Sequence, residues 1–301
     1  MLSFIAFGFV LRRTHILPVQ SGKVLSVLET TLFLPALIFT NLSTNVKSDG
    51  ITDKFVTLLI GIGFLLATIV VAKLFSRFFS ANREMRNVYT YIFAFSNYAY
   101  FGYPIIQSVF GPQMLARTII FAVPFTLVIY TYGVHLLTGT KRREQVTLIA
   151  VFQSLLKPVT LAVVLGVACG LLSVKVPLVA ADVLTMASNC MSPVAMILTG
   201  FVLAAFPITE LFTSPTAYHA TAVRLIAVPV VFAIALWLVG LRGEHYLIPV
   251  MIAAMPVGMN VVVFPEADGA DSKHGARICF VSYIVSIVTI PLVFSGLSSI
   301  N

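Results

Sequence analysis

Two apolar stretches of the sequence are interrupted by proline, glycine and asparagine. The first reads SNYAYFGYPII (96–106) and the second reads AMPVGMNVVVFP (254–265). Proline inside a helix removes a backbone donor and clashes with the preceding turn, which costs about 3 kcal/mol. In lipid, the freed backbone groups are tolerated only inside the protein or beside a water-filled cavity. We therefore predict two helices broken near mid-membrane, one at residues 102–104 and one at residues 256–258.

These breaks are suited to binding a carboxylate. A helix that restarts after a break exposes unpaired N–H groups and the positive end of its dipole, and two such ends together form an anion site. Asn97 and Asn260 lie close to the breaks, and each side-chain amide is both a donor and an acceptor. The predicted substrate-binding residues are Ser96, Asn97, Gly102, Tyr103, Pro104, Pro256, Gly258 and Asn260.

The same residue types also have purely structural interpretations. A single proline in a membrane helix is often only a kink, as we expect for Pro124, Pro229 and Pro291, and a lone asparagine often joins two helices. Tyr103 is as suited to aromatic packing as to lining a cavity. The occurrence of two breaks, each with an asparagine nearby, favours a binding site.

Ionisable residues are few within the apolar runs, where they usually mark function. Glu29 opens the second run and is interpreted as interfacial. Arg224 begins the eighth run, where it could snorkel or assist anion access. No acidic residue lies at a predicted midplane. The sequence therefore offers no obvious residue for a proton relay or for a carboxylate-based sodium site. We predict no metal site, no cofactor and no catalytic residue.

The elements that position these residues follow from the composition. The chain has 301 residues, is 59% hydrophobic and 10% charged, and has a mean hydropathy of +1.01. A soluble domain carries about 25% charged residues, and a disordered chain needs few apolar ones. The net charge of +8 is spread between apolar runs, which argues against a nucleic-acid partner. The sequence thus predicts an all-α polytopic protein in the lipid bilayer.

About ten membrane spans are predicted. A helix needs about 20 mostly apolar residues to cross roughly 30 Å of hydrocarbon. The gaps between charges predict nine such spans, at residues 20–42, 53–76, 87–110, 113–139, 153–173, 178–207, 215–240, 245–266 and 272–298. A first span at residues 1–11 is short or lacks its beginning. Fourteen Lys and Arg residues then fall on one side and five on the other, so both termini are expected outside the cytoplasm, at the cell membrane.

Five spans in each half predict two repeats of opposite orientation. The second span reads LPALIFTNL around Pro35 and the seventh reads SPVAMILTG around Pro193, an offset that places span four on span nine. Paired breaks in inverted halves are typical of a transporter's binding site. We predict a first repeat at residues 1–139, a short basic cytoplasmic loop at 140–152 and a second repeat at 153–301.

At these motifs the sequence resembles the auxin efflux carrier family, which includes plant PIN transporters and bacterial permeases for malate or malonate. The matching residues are Asn97, Gly102 and Pro104 in the fourth span, and Ala254, Pro256, Gly258 and Asn260 in the ninth. The LPALIF segment and the basic loop between spans five and six also fit. The resemblance covers essentially the whole chain.

The resemblance implies a fold and a mechanism. Spans 1, 2, 6 and 7 would form a scaffold that often dimerises, and spans 3–5 and 8–10 a transport domain that moves like an elevator. Spans four and nine would cross at their breaks, with the substrate in contact with Asn97. Thr57 and Phe125 stand where PIN members have Lys and Gln. These differences favour a bacterial-type carrier of small organic anions over an auxin carrier.

Other functions predict other residues. A sodium-coupled carrier of the bile-acid symporter kind would place Glu and Gln at the crossing, where this sequence offers Asn, Ser and carbonyl groups. A membrane-embedded metalloprotease needs His-Glu-x-x-His, which is absent, and an aspartyl protease needs two aspartates deep in the membrane. A channel is also compatible with the sequence. The leading prediction is a secondary transporter of small organic anions and not an enzyme.

Overall fold

A computed structural model describes residues 2–47, 50–138, 156–205, 214–267 and 271–298. These ranges are helical, and they contain no β-strand beyond one isolated bridge. Their α-helices are α1 (Leu2–Arg13), α2 (Ser21–Leu28), α3 (Leu34–Asn45), α4 (Ile51–Phe79), α5 (Arg83–Ala94), α6 (Tyr103–Val128), α7 (Val134–Thr138), α8 (Pro158–Leu171), α9 (Leu178–Leu203), α10 (Pro215–Ala222), α11 (Val228–Leu238), α12 (Glu244–Ala254), α13 (Asn260–Ala267) and α14 (Lys273–Ser298). Wider π-helical turns at Glu29–Phe33, Tyr98–Gly102, Ile129–Gly133 and Val223–Ala227 join some of them.

Six helical segments in the described part are long and apolar enough to cross a membrane, which confirms a polytopic membrane protein. They are Ser21–Asn45, Ile51–Phe79, Tyr98–Thr138, Leu178–Leu203, Pro215–Leu238 and Lys273–Leu297. A shorter apolar helix lies at Pro158–Leu171. The total of ten spans and the inverted repeat stay predictions, and the predicted cytoplasmic loop at 140–152 lies outside the described residues.

The segment Tyr98–Thr138 is two helices rather than one. At 41 residues it would extend about 60 Å, which is twice the hydrocarbon thickness. Gly111 interrupts it with a φ of 84°, a left-handed conformation that glycine adopts at no steric cost. Pro112 follows, and proline is well tolerated in the first turn of a new helix. This interruption lies where the sequence predicts the boundary between spans four and five.

The helices form two compact units, and each takes segments from both halves of the chain. The first unit comprises Met1–Leu58, Ala99–Val123 and Leu148–Ala205, and the second comprises Leu59–Tyr98, Pro124–Thr147 and Phe206–Asn301. The first unit therefore takes in predicted spans 1, 2, 6 and 7, and also the start of predicted span 3 and parts of predicted spans 4 and 5.

Close helix packing through glycine holds the first unit together. Helix α1 packs on α9, and α3 packs on both α8 and α9. A Cβ atom on Gly200 would overlap the carbonyl oxygen of Ile5, and one on Gly8 would overlap that of Ile197. Small residues allow such backbone approach between membrane helices, where no hydrophobic effect drives association. The α3–α9 contact joins the two helices that carry Pro35 and Pro193.

Replacement of Gly200 by valine is expected to destabilise the first unit. The new side chain must push α1 away from α9, and overpacking of this kind costs about 1–3 kcal/mol. Thermal unfolding of the purified protein in detergent measures the effect as a lowered melting temperature. Gly296→Val is the matched control, because a Cβ atom there meets nothing within 4 Å. Equal melting of the two variants would contradict the close approach of α1 and α9.

The second unit is organised around α14 and a cluster of aromatic rings. Helix α14 packs against α10, α12, α13 and the turn Val223–Ala227. The Phe64 ring lies 4.5 Å from that of Phe232 and 6.1 Å from that of Phe125, measured between ring centroids. Aromatic pairs at such distances contribute beyond the area they bury. Through α12 and α13, α14 contacts both sides of the second predicted break.

Candidate functional site: the paired helix breaks

The first break lies at residues 95–97, upstream of its predicted position. Helix α5 ends at Ala94, and a π-helical turn begins at Tyr98 and continues directly into α6. The prediction of a break at residues 102–104 is therefore wrong. The π turn ends two residues before Pro104, and such wide turns are places where a helix absorbs local irregularity. A residue without an N–H group thus fits into a continuous helix.

The second break lies where the sequence predicts it. Helix α12 ends at Ala254 and α13 begins at Asn260, so residues 255–259 are non-helical. This segment contains Pro256 and Gly258. Pro256 cannot donate to the helix, and the residue before a proline disfavours helical conformation. Met255 accordingly adopts an extended conformation with a ψ of 150°.

The two breaks pair with each other in antiparallel fashion. The Asn97 N–H donates to the Pro256 carbonyl at 2.8 Å, and the Gly258 N–H donates to the Phe95 carbonyl at 3.1 Å. Ser96 and Val257 form the resulting bridge. A buried backbone group without a partner is costly. Each break therefore satisfies the groups that the other leaves unpaired.

Helix α14 supports the paired breaks from one side. The side-chain amide of Asn97, which is 4% exposed, donates a hydrogen bond to the Tyr283 hydroxyl. The Val257 N–H donates to the Ser282 hydroxyl oxygen at 3.2 Å, and that hydroxyl donates to the Cys279 carbonyl at 2.7 Å. Sequence analysis missed Ser282 and Tyr283. In the sequence they are visible only as two adjacent polar residues inside an apolar helix. That pattern does not indicate which residues they bind.

Tyr91 is a further residue that sequence analysis missed. It is fully buried on α5, and its hydroxyl oxygen lies 3.5 Å from the position that a Cβ atom on Gly258 would take. The hydroxyl is beside the Asn260 side chain, although the two do not meet the geometric criteria of a standard hydrogen bond in the described residues. Tyr91 therefore places a buried hydroxyl beside the breaks.

Most of the predicted site residues come together at the breaks. Ser96, Asn97, Pro256 and Gly258 lie in the paired segments and are buried, and the half-buried Asn260 begins α13 directly after the second break. Two helical segments thus begin beside the pairing, at Tyr98 and at Asn260.

The remaining predicted site residues lie further along the chain. Gly102, Tyr103 and Pro104 are buried as well, but they belong to the first compact unit, whereas the paired breaks belong to the second. Their role in binding stays a prediction.

Two ionisable residues lie deeper than the sequence predicts. Glu29, interpreted as interfacial, is fully buried, and within the described residues its carboxylate oxygens have no hydrogen-bond partner. Arg224, expected to snorkel or to assist anion access, is 1% exposed, so snorkelling is wrong. Tertiary packing, which hydropathy does not reveal, buries both side chains. Among the described residues, no group of three or more His, Cys, Asp or Glu side chains could hold a metal ion.

Comparison with known proteins identifies relatives over nearly the whole chain. The sequence model of the family described as "Membrane transport protein" matches residues 1–294. A protein from Methanothermobacter thermautotrophicus, described as an uncharacterized transporter, is 26% identical over 300 residues, which cover 97% of this chain and 94% of the relative.

Proposed function

Because the chain belongs to the membrane transport protein family, which is the family of the auxin efflux carriers, we propose that it is a secondary carrier of small organic anions that binds its substrate beside the paired breaks. The observation that carries this proposal is the antiparallel pairing of residues 95–97 with residues 256–258. Family membership points to a transporter rather than an enzyme. It also confirms the resemblance noted in the sequence.

An anion is the substrate class that suits this arrangement electrostatically. Two helical segments begin at the breaks, and the N-terminus of a helix carries partial positive charge. The Asn97 amide is buried beside them. An unpaired carboxylate in an apolar medium is very costly. The dipole of a helix N-terminus and nearby amide donors lower that cost, as they do at other helix N-termini that bind anions.

The substrate class is narrowed by residues outside the breaks. Thr57 and Phe125 stand where the PIN members that this sequence resembles have Lys and Gln. In this chain the carboxylate of Asp53 forms an ion pair with Arg117 at 2.6 Å. We therefore favour short carboxylates such as malate or malonate over auxin-like acids.

The proposed mechanism is alternating access by an elevator movement. Predicted spans 1, 2, 6 and 7 would form a scaffold that dimerises. The first compact unit groups them, together with residues 99–123 of predicted spans 4 and 5. The second unit contains both breaks and would carry the substrate. We further propose that the protein lies in the cell membrane. The distribution of Lys and Arg between its loops places both termini outside the cytoplasm.

Uptake by proteoliposomes tests the proposal. The panel is labelled malate, malonate, other short carboxylates and indole-3-acetate, each measured with and without sodium and with and without a proton gradient. We expect saturable uptake of at least one anion, accelerated by the same unlabelled anion inside the vesicles. Such acceleration requires a binding site that alternates between sides, so it separates a carrier from a channel. Uptake no faster than in protein-free vesicles under every condition would contradict the proposal.

The alternative function is a sodium-coupled carrier of the bile-acid symporter kind. The carbonyl groups at the breaks could bind a sodium ion, although no carboxylate forms a metal-binding cluster in the described residues. The same panel separates the alternatives. Uptake that depends strictly on sodium favours this second function, whereas sodium-independent uptake favours the first.

A further inference from the structure

Arg224 is a fully buried cation beside the paired breaks. It is the largest of the fully buried side chains in the described part of the chain. It lies in the π-helical turn Val223–Ala227, which packs against α5, α12 and α14. Helices α5 and α12 are the two that end at the breaks, so the turn that carries Arg224 lies next to both interrupted helices.

Among the described residues, Arg224 makes one side-chain hydrogen bond and no ion pair. Its Nη1 donates to the Phe93 carbonyl at 3.2 Å. That carbonyl belongs to the last turn of α5 and has no helical donor, because the N–H of Asn97 is bonded to Pro256. The Nε atom has no hydrogen-bond partner, and the described residues place no carboxylate within 4.0 Å of the guanidinium.

A buried arginine without an anionic partner is among the most costly features that a membrane protein can retain. The negative end of the α5 dipole offsets part of that cost, since it amounts to about half a charge. Capping one carbonyl does not require a cation, because a neutral amide donor would serve. The Arg224 guanidinium contacts Phe93, which lies two residues before the paired segment 95–97. The proposed carrier holds the carboxylate of its substrate beside that segment.

We propose that Arg224 supplies the fixed positive charge that balances a carboxylate of the substrate at the paired breaks. This inference rests on the proposed function. Arg224 acts through the low-dielectric interior and not by contact in the structure, so it is a specificity-determining residue for anions. The site then selects carboxylates over their neutral amides, and it does so without a co-bound cation.

Two substitutions separate charge from hydrogen bonding. Arg224→Lys keeps the charge and can donate to the Phe93 carbonyl, whereas Arg224→Gln keeps a donor and removes the charge. Uptake is measured for malonate against malonamide and for indole-3-acetate against indole-3-acetamide. We expect Arg224→Gln to raise the KM for the carboxylate at least about tenfold and to leave that for the amide unchanged. Arg224→Lys retains most of the discrimination.

A purely structural role predicts a different result. If Arg224 only caps α5, the Lys and Gln variants behave alike and change the carboxylate and the amide equally. That outcome would overturn the inference. Arg242→Gln is the matched control, because Arg242 lies in the same unit and donates to the backbone carbonyls of Trp237 and Leu241 but is exposed.

Thermal stabilisation of the purified variants separates this inference from the proposed function. If the wild type shows no uptake but malonate or indole-3-acetate raises its melting temperature, and Arg224→Gln alone abolishes that shift, the charge assignment stands and the carrier proposal fails. If uptake is present and Arg224→Gln discriminates like the wild type, the carrier stands and the charge assignment fails. A wild type with neither uptake nor stabilisation by any of these anions contradicts both.

Discussion

Replacement of Asn97 by alanine is expected to reduce uptake of the substrate anion by roughly 10- to 100-fold while the protein remains folded. A hydrogen bond to a charged group contributes about 1.5–3 kcal/mol, and each 1.4 kcal/mol corresponds to about tenfold in affinity. The backbone N–H of residue 97, which pairs with Pro256 at 2.8 Å, is retained in the variant. Uptake kinetics in proteoliposomes measure the loss, and the melting temperature reports the fold.

The variant Asn97→Asp tests whether the substrate bound beside residue 97 is an anion. Aspartate has nearly the shape of asparagine but adds a negative charge, so an anionic substrate is repelled and uptake falls below that of the alanine variant. A cationic substrate would reverse this order. Tyr283→Phe removes the acceptor of the Asn97 amide and is expected to raise the KM with a smaller change in the maximal rate, because it only orients Asn97.

Asn45→Ala is the matched control for these variants. Asn45 lies at the end of α3, in the other compact unit, and its amide donates to the Asn41 carbonyl of the same helix at 2.9 Å. It is expected to retain wild-type uptake. Wild-type uptake by Asn97→Ala at equal protein density would remove Asn97 from the site.

Composition alone was sufficient to predict a polytopic helical protein, whereas the first break required a partner distant in sequence. The second break contains its own proline and glycine, so local propensity locates it. The first break, at residues 95–97, contains neither. It is non-helical because its backbone groups pair with residues 256–258, about 160 positions away. The visible helix breakers at Gly102 and Pro104 therefore misled the prediction by a few residues.

The depth at which charged residues are buried could not be predicted from the sequence either. A charge at the end of an apolar run is compatible both with the membrane interface and with the protein interior, and snorkelling makes the first choice reasonable. The packing of the turn Val223–Ala227 against three helices buries Arg224. The side chains of α14 that support the breaks were missed for the same reason, because hydrogen-bond partners across helices leave no local pattern.

Replacement of Gly258 by valine is expected to separate the two breaks and to reduce uptake more than tenfold. A Cβ atom at residue 258 would lie 3.2 Å from the Phe95 carbonyl oxygen, 3.4 Å from that of Ser96 and 3.5 Å from the Tyr91 hydroxyl. Alanine requires these neighbours to shift by only a few tenths of an ångström. Valine adds two further methyl groups against backbone atoms that cannot rotate away, and such overpacking costs about 1–3 kcal/mol.

The alanine and valine variants together test whether the pairing is required for transport. We expect uptake to decrease from glycine to alanine to valine, with melting temperature falling in the same order. Gly63→Val controls for valine in a membrane helix of the same unit, because a Cβ atom at residue 63 meets nothing within 4 Å. If Gly258→Val melted and transported like the wild type, the close contact between residue 258 and Phe95 would not be needed. Substrate binding beside the paired breaks would then lose its structural basis, since that contact is part of the pairing between the two breaks.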